Sequence, residues 1–323
     1  MRCPVRIATA PLLLVLLAAA PLAVAADSRH VLDIVDRVPK FEKFYADAQG
    51  LDEAARWRLW KKEYGIAAVP PTAQGEALAR KQLDAAWPRY AALIPGLNTL
   101  EAGAEQTARA LFAATNRLYA TAGTPIHTRL VLFVGQFDGN EFTVPAMNGQ
   151  PPTVVMPVEN PRLKVQLAHE MSHSVNFQLA GVKNSFGAPI GETVFLEGLA
   201  MHANKALVPG LPDAAYTELA SEPGWLRRCS ANRAAIMKGI FPYLHDSGAG
   251  VATRFTFGQG TTGMDRELYC AGWFVVGGML ASGRTFPQLA RVPEARMVGT
   301  VTRALSRYAR DRARHQTRQR GHR

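Results

Sequence analysis

Cysteine is scarce: the 323 residues contain three, Cys3, Cys229 and Cys270, none at metal-ligand spacing to a neighbour. This gives no basis for a thiolate metal site. Long apolar runs are scarce as well, and beyond the first 26 residues no stretch reaches the roughly 18 uninterrupted apolar residues that a bilayer-crossing helix needs. Internal repeats are missing. At 48% hydrophobic residues the chain is no disordered polymer and has enough apolar side chains for one large domain or two modest ones.

Negative charge is also in short supply, with 26 Asp and Glu against 37 Lys and Arg, a net +11. A nucleic-acid partner would follow if that excess were spread over the chain, but it is concentrated at the ends. Arg2 and Arg6 supply two charges, and the stretch from Arg303 to Arg323 sets eight arginines against Asp311, leaving about +2 for the body. Nucleic acid is therefore not expected. The arginine-rich tail, residues 303–323, reads as a frayed, solvated terminus, or as a contact for an anionic surface such as membrane lipid or cell-envelope polymer.

Residues 1–26 have the form of a secretory signal peptide: two arginines, the apolar run Pro11 to Leu22, then small residues with cleavage expected after Ala25 or Ala26. A periplasmic or secreted protein follows from that expectation. Cleavage also removes Cys3, and Cys229 and Cys270 then form the natural disulfide pair of an oxidising compartment.

Residues 27–124 read as a helical N-terminal region without a chemical constellation. Val31, Ile34, Val35 and Val38 open a helical period that Pro39 interrupts, and further helices are expected near Asp52 to Tyr64, Gly75 to Leu93 and Thr99 to Tyr119. Near Pro125 the character changes. Thr128 to Val134, Glu141 to Val144 and Thr153 to Val158 read as strands separated by Gly135, Asp138-Gly139-Asn140 and Asn148-Gly149 turns, which predicts a small antiparallel sheet. The fold class is α+β, mainly helical. Helices then follow over Asn160 to Ala180, Gly191 to Leu207, Ala231 to Leu244, Glu267 to Leu280 and within Phe286 to Ala304, with a glycine-rich, mobile loop from Ser247 to Gly263.

The helix Asn160 to Ala180 carries His169, Glu170 and His173 as HExxH. Positions i and i+4 share a helix face, so His169 and His173 can offer two imidazoles to one metal ion, and Glu170 can address a water beside it. A chance HExxH occurs in roughly one chain in a hundred of this size. Asn160 as N-cap, Pro161 in the first turn and Gly181 as a stop frame the helix, and Leu163, Leu167, Met171 and Val175 give it an apolar stripe.

A third ligand is available on the following helix, at Glu192 or Glu197. The two stand about 140° apart around the helix, so both cannot serve one metal. Here the chain resembles the gluzincin metalloproteases, in which HExxH is followed by a zinc-binding glutamate on a later helix. Their spacer length points to Glu192, whereas their Glu-Gly-x-Ala context matches Glu197-Gly198-Leu199-Ala200, and the context is preferred because a spacer tolerates insertions. It also resembles a bacterial family of largely uncharacterised, predicted zinc-dependent proteases, through the same residues and Tyr269-Cys270-Ala271-Gly272.

The resemblance implies a zincin-like core over residues 125–302, with the sheet packed on the helix pair. It implies a Zn²⁺ cofactor held by His169, His173 and Glu197, with Glu170 as general base towards a peptide or protein substrate. Tyr269 is the implied oxyanion donor, with His202 as its competitor. No counterpart of the amine-binding exopeptidase motif stands where aminopeptidases carry it. The alternative is a non-catalytic protein of the same fold that is zinc-stabilised or binds peptides at the envelope.

Overall fold

Apolar residues in the stretch His30–Asp36 come in adjacent pairs, a pattern compatible with either a helix or a strand, and the expected helix is in fact strand β1. In this computed structural model the described residues are 29–321 apart from 68, 70, 71, 186 and 220, with side chains described to residue 310; the expected signal peptide lies outside them. After β1 come α1 (Val38–Asp47), α2 (Glu53–Glu63), α3 (Ala73–Leu93), α4 (Leu97–Leu118), β2 (Ile126–Phe133), β3 (Phe142–Val144) and β4 (Thr153–Pro157). The remainder is helical: α5 (Leu163–Ala180), α6 (Ile190–Leu207), α7 (Ala214–Thr217), α8 (Trp225–Ile240), α9 (Ala249–Thr256), α10 (Glu267–Ala281), α11 (Phe286–Ala290) and α12 (Glu294–Gly321). The fold is α+β and mainly helical.

Local chemistry accounts for several of the boundaries. The Asp52 carboxylate accepts from Ala55 N at 2.7 Å and the Thr72 hydroxyl from Gly75 N at 3.1 Å, each satisfying a first-turn donor of its helix. Pro39 does not interrupt a helix. It lies in the first turn of α1, where a missing N–H costs nothing. Asn160 and Pro161 form a turn ahead of α5, in which Asn160 Oδ1 accepts from Arg162 N, and Gly181 ends that helix at φ +70°. The expected glycine-rich loop contains α9, and its far end is fastened where Glu267 accepts from the Thr261 and Thr262 amides. Continuing unbroken from Glu294 to Gly321, α12 runs through residue 303, where the tail was expected to begin.

The antiparallel sheet needs correcting. Strand order is β1-β2-β4-β3; β1/β2 and β2/β4 are parallel, and only β3/β4 is antiparallel. Asn148 and Gly149, both at positive φ, make the tight reversal between β3 and β4, with Met147 bridged to Gln150. The turns after β2 connect strands that are not neighbours, and the link from β1 to β2 passes through four helices, which imposes a parallel pair. Turn residues mark where the chain reverses but leave open which strand lies alongside. Because β1 belongs to this sheet, the N-terminal region shares its core with the rest of the chain.

Below the sheet, α5 packs on α4 and α6, and α6 on α10 and α12. A disulfide joins Cys229 on α8 to Cys270 on α10 across a separation of 41 residues. Closing a loop of that length stabilises the fold by roughly 4 kcal/mol in the chain-entropy account.

The closest helix contact is glycine on glycine. A Cβ on Gly198 would lie 2.4 Å from Gly272 O, and one on Gly272 would lie 2.7 Å from Val194 O and 2.9 Å from Gly198 N. No side chain fits there, so α6 and α10 meet backbone to backbone. Gly198→Ala should cost about 1–3 kcal/mol or more by overpacking, whereas Gly278→Ala on the same α10, where nothing lies within 4 Å, should be neutral or gain up to about 1 kcal/mol. Urea denaturation of the two variants tests the contact; equal stabilities would contradict it.

Candidate metal centre

Polar residues on a buried helix must each find a partner, and on α5 those partners fix its rotation. Ser172 meets the hydroxyl of Tyr119, which follows α4; Ser174 Oγ lies 2.6 Å from Thr128 Oγ1 on β2; and Asn176 Nδ2 donates to Ala290 O on α11 at 2.8 Å. Leu167, Met171 and Val175 are fully buried between them. Held this way, α5 turns His169 and His173 towards α6.

The donor atoms converge there. His169 Nε2 and His173 Nε2 are 3.1 Å apart, and the Glu197 carboxylate approaches them at 3.2 Å through Oε2 and 3.5 Å through Oε1. Tetrahedral coordination with bonds of about 2.0–2.1 Å sets donor atoms about 3.3 Å apart, so the triangle has the size a metal ion of zinc's class needs. His173 Nδ1 is buried with no hydrogen-bond partner among the described residues, so what Nε2 faces, rather than its other nitrogen, orients that ring. The side chains of His169 and Glu197 keep 15% and 17% exposure, which leaves the triangle partly open to solvent. His169, His173 and Glu197 thus form a buried group that can hold a metal ion.

Electrostatics favour the same assignment. Burial pushes the Glu197 carboxyl up, but the His173 charge and hydrogen bonds to both histidines outweigh it and hold the group well below the ordinary carboxylate range. At His169 burial pulls the imidazole down, while Glu197, Glu170 and Glu141 more than compensate and raise it.

Glu170 is buried beside the triangle, and its Oε2 accepts from Thr143 Oγ1 at 2.7 Å. Thr143 is the middle residue of β3, the edge strand. Tyr269, in the first turn of α10, feels the charges of Glu197, Glu170 and Glu141; burial first and Glu197 second raise its phenol well above the ordinary range, so it remains a hydrogen-bond donor. The Arg266 guanidinium lies 4.5 Å over its ring. His202 is occupied elsewhere: its Nε2 donates to Trp273 O at 2.7 Å and its ring stacks on Trp273, which ties α6 to α10.

Two neighbours carried no signal in the sequence. Thr143 looks like any strand threonine, and Glu141, just before β3, looks like a loop carboxylate. In the fold Glu141 accepts from Asn160 Nδ2 at 2.7 Å and from Gln166, and burial, then the charge of Glu170, push it up to about 7.

Glu192 is one end of α6 away from the centre. It is buried, one of its oxygens has no partner among the described residues, and burial, then the charge of Glu294, push it up to about 7. Two outcomes follow. Glu197→Gln should weaken metal retention by at least tenfold in competition with a chelator, and Glu192→Gln should not; the reverse result would move the third ligand to Glu192. Because the folded pKa of Glu192 lies above its value in an unfolded chain, its stabilising contribution is complete below about pH 4.5 and fades as pH rises through about 7. Glu192→Gln should therefore melt higher than wild type at pH 8 and alongside it at pH 4.5, and equal melting at pH 8 would rule this out.

The chain matches no protein-family model, no curated protein and no solved structure.

Proposed function

We propose that this protein is an exported zinc-dependent metallopeptidase. The observation that carries the reading is the convergence of two imidazole Nε2 atoms and one carboxylate, partly open to solvent, beside a further buried carboxylate. An N₂O donor set with an open position suits zinc among the common divalent metals. Bound there by His169, His173 and Glu197, zinc would polarise a carbonyl and make water acidic enough to lose a proton near neutral pH.

The chain's own groups then have distinct tasks. Glu170, oriented by Thr143, takes the proton of the attacking water and delivers it to the leaving amine, which balances the hydrolysis of one peptide bond. Tyr269, held as a neutral phenol, donates to the oxyanion that develops on the scissile carbonyl. Arg266 over its ring opposes the charges that surround that hydroxyl. β3 is an edge strand, and an extended peptide pairing with it would pass beside Glu170 because Thr143 bridges the two. A closed structural metal site has no use for Glu170, which is the argument against a purely zinc-stabilised protein.

The test is metal analysis of the purified mature protein together with cleavage of a broad peptide library by wild type and Glu170→Gln. Stoichiometric zinc in both, with cleavage about 10²–10⁴-fold slower in the variant, is expected. Wild-type protein without stoichiometric metal would refute the centre, and zinc with no cleavage by wild type would favour the peptide-binding alternative.

A further inference from the structure

At the C-terminal end of α10, opposite the end that carries Tyr269, lies a cavity of about 350 Å³. Its walls are Met279 at the end of α10, Ser282 to Arg284 in the turn that follows, Gln288 from α11, and Thr300, Arg303 and Arg307 from α12. Among the described residues no carboxylate lines it, and no ion pair involves Arg284, Arg303 or Arg307. Three guanidinium groups thus share one concavity.

The spacing of these arginines is unfavourable unless something compensates it. Arg303 and Arg307 are one turn apart on α12, where like charges repel, and Arg284 brings a third charge from another element. Arg284 alone would pass as a complement to the negative end of α10. That end, however, is already satisfied by its own turn, with Ser282 N, Gly283 N and Arg284 N donating to Gly278 O, Leu280 O and Met279 O, and the other two arginines belong to a different helix. The hydroxyl of Thr300 donates to Arg296 O and that of Ser282 to Met279 O. Gln288 Oε1 accepts from Thr285 N, which leaves its amide NH₂ as a further donor.

We propose that this cavity is a binding site for a phosphate-type anion, separate from the metal centre and independent of the peptidase reading. Planar guanidinium forks pair bidentately with tetrahedral oxyanions, and three of them call for a multivalent anion rather than a single carboxylate. The sequence extends the same three- and four-residue arginine spacing from Arg303 and Arg307 through Arg310, Arg314 and Arg318, so the cavity stands at the head of a helix suited to a longer polyanion. From residue 309 to 321 the sequence offers no large apolar side chain with which to enter a bilayer. The anion is therefore met by charge, as a soluble phosphate compound or as a headgroup at a surface.

Inorganic pyrophosphate, titrated calorimetrically into the full mature chain, and vesicles of phosphatidylglycerol against phosphatidylcholine, in a sedimentation assay, distinguish the two sources. Arg303→Gln/Arg307→Gln removes two cavity charges, and Arg314→Gln/Arg318→Gln removes the same charge further along the sequence. Arg303 and Arg307 anchor no ion pair among the described residues, so their exchange should leave the fold intact, and unchanged melting temperatures of both double variants would verify it. One-to-one pyrophosphate binding weakened at least tenfold by the cavity pair and less than twofold by the control pair is expected. The same pattern with phosphatidylglycerol vesicles alone would support the site with a headgroup as its ligand. Equal losses in both pairs, or no binding of either probe by wild type, would overturn the proposal.

Discussion

The backbone contact between Gly198 and Gly272 sets the position of everything on α6. Side chains ordinarily hold packed helices 8–10 Å apart; here two glycines facing each other remove that spacer, and the carbonyl of Gly272 occupies the space a Cβ would take. Glu197 directly precedes Gly198. Its reach towards α5 is fixed by how deeply α6 settles against α10 on its other side, so a contact with no chemistry of its own decides whether a carboxylate meets two imidazoles.

The facing half of the centre is fixed by different means. α5 is buried around most of its circumference, and a helix in that position has no solvent face to define its rotation. Hydrogen bonds from Ser172, Ser174 and Asn176 to three different elements define it instead. Thr143 then secures Glu170 from the sheet side. Each of these bonds satisfies a buried polar group, so loss of either partner strands the other at a cost of about 1–3 kcal/mol.

Charge is segregated along α10. Near its N-terminal end lie Tyr269 and the acidic surroundings of the donor triangle, where Glu141, Glu170 and Glu197 share a poorly solvated space. Beyond its C-terminal end are three arginines with no carboxylate among the described residues. The disulfide at Cys270, one residue from Tyr269, ties the acidic end to α8. The two ends of α10 therefore lie beside regions of opposite sign.

The sequence was sufficient wherever the deciding interaction is local. HExxH needs only the helical period to bring His169 and His173 together, Gly181 needs only its own φ to stop the helix, and the Glu197-Gly198 context picked out the glutamate that meets the two imidazoles, where a spacer count pointed to Glu192. Two cysteines left after the expected signal peptide were enough to propose their pairing. Where the deciding partner lies far along the chain, the sequence was silent or misleading. His30–Asp36 is a strand because residues 126–132 offer it a backbone ladder. The β1/β2 pair is parallel because helices intervene and the β2/β4 pair because β3 does, and Glu141 and Thr143 join the centre only through the β3–α5 packing. The arginine cavity likewise exists only because α12 folds back against the end of α10. Helical periodicity is written into neighbouring residues, whereas register, sheet order and the burial of a lone carboxylate depend on contacts between distant segments, which only the folded chain makes.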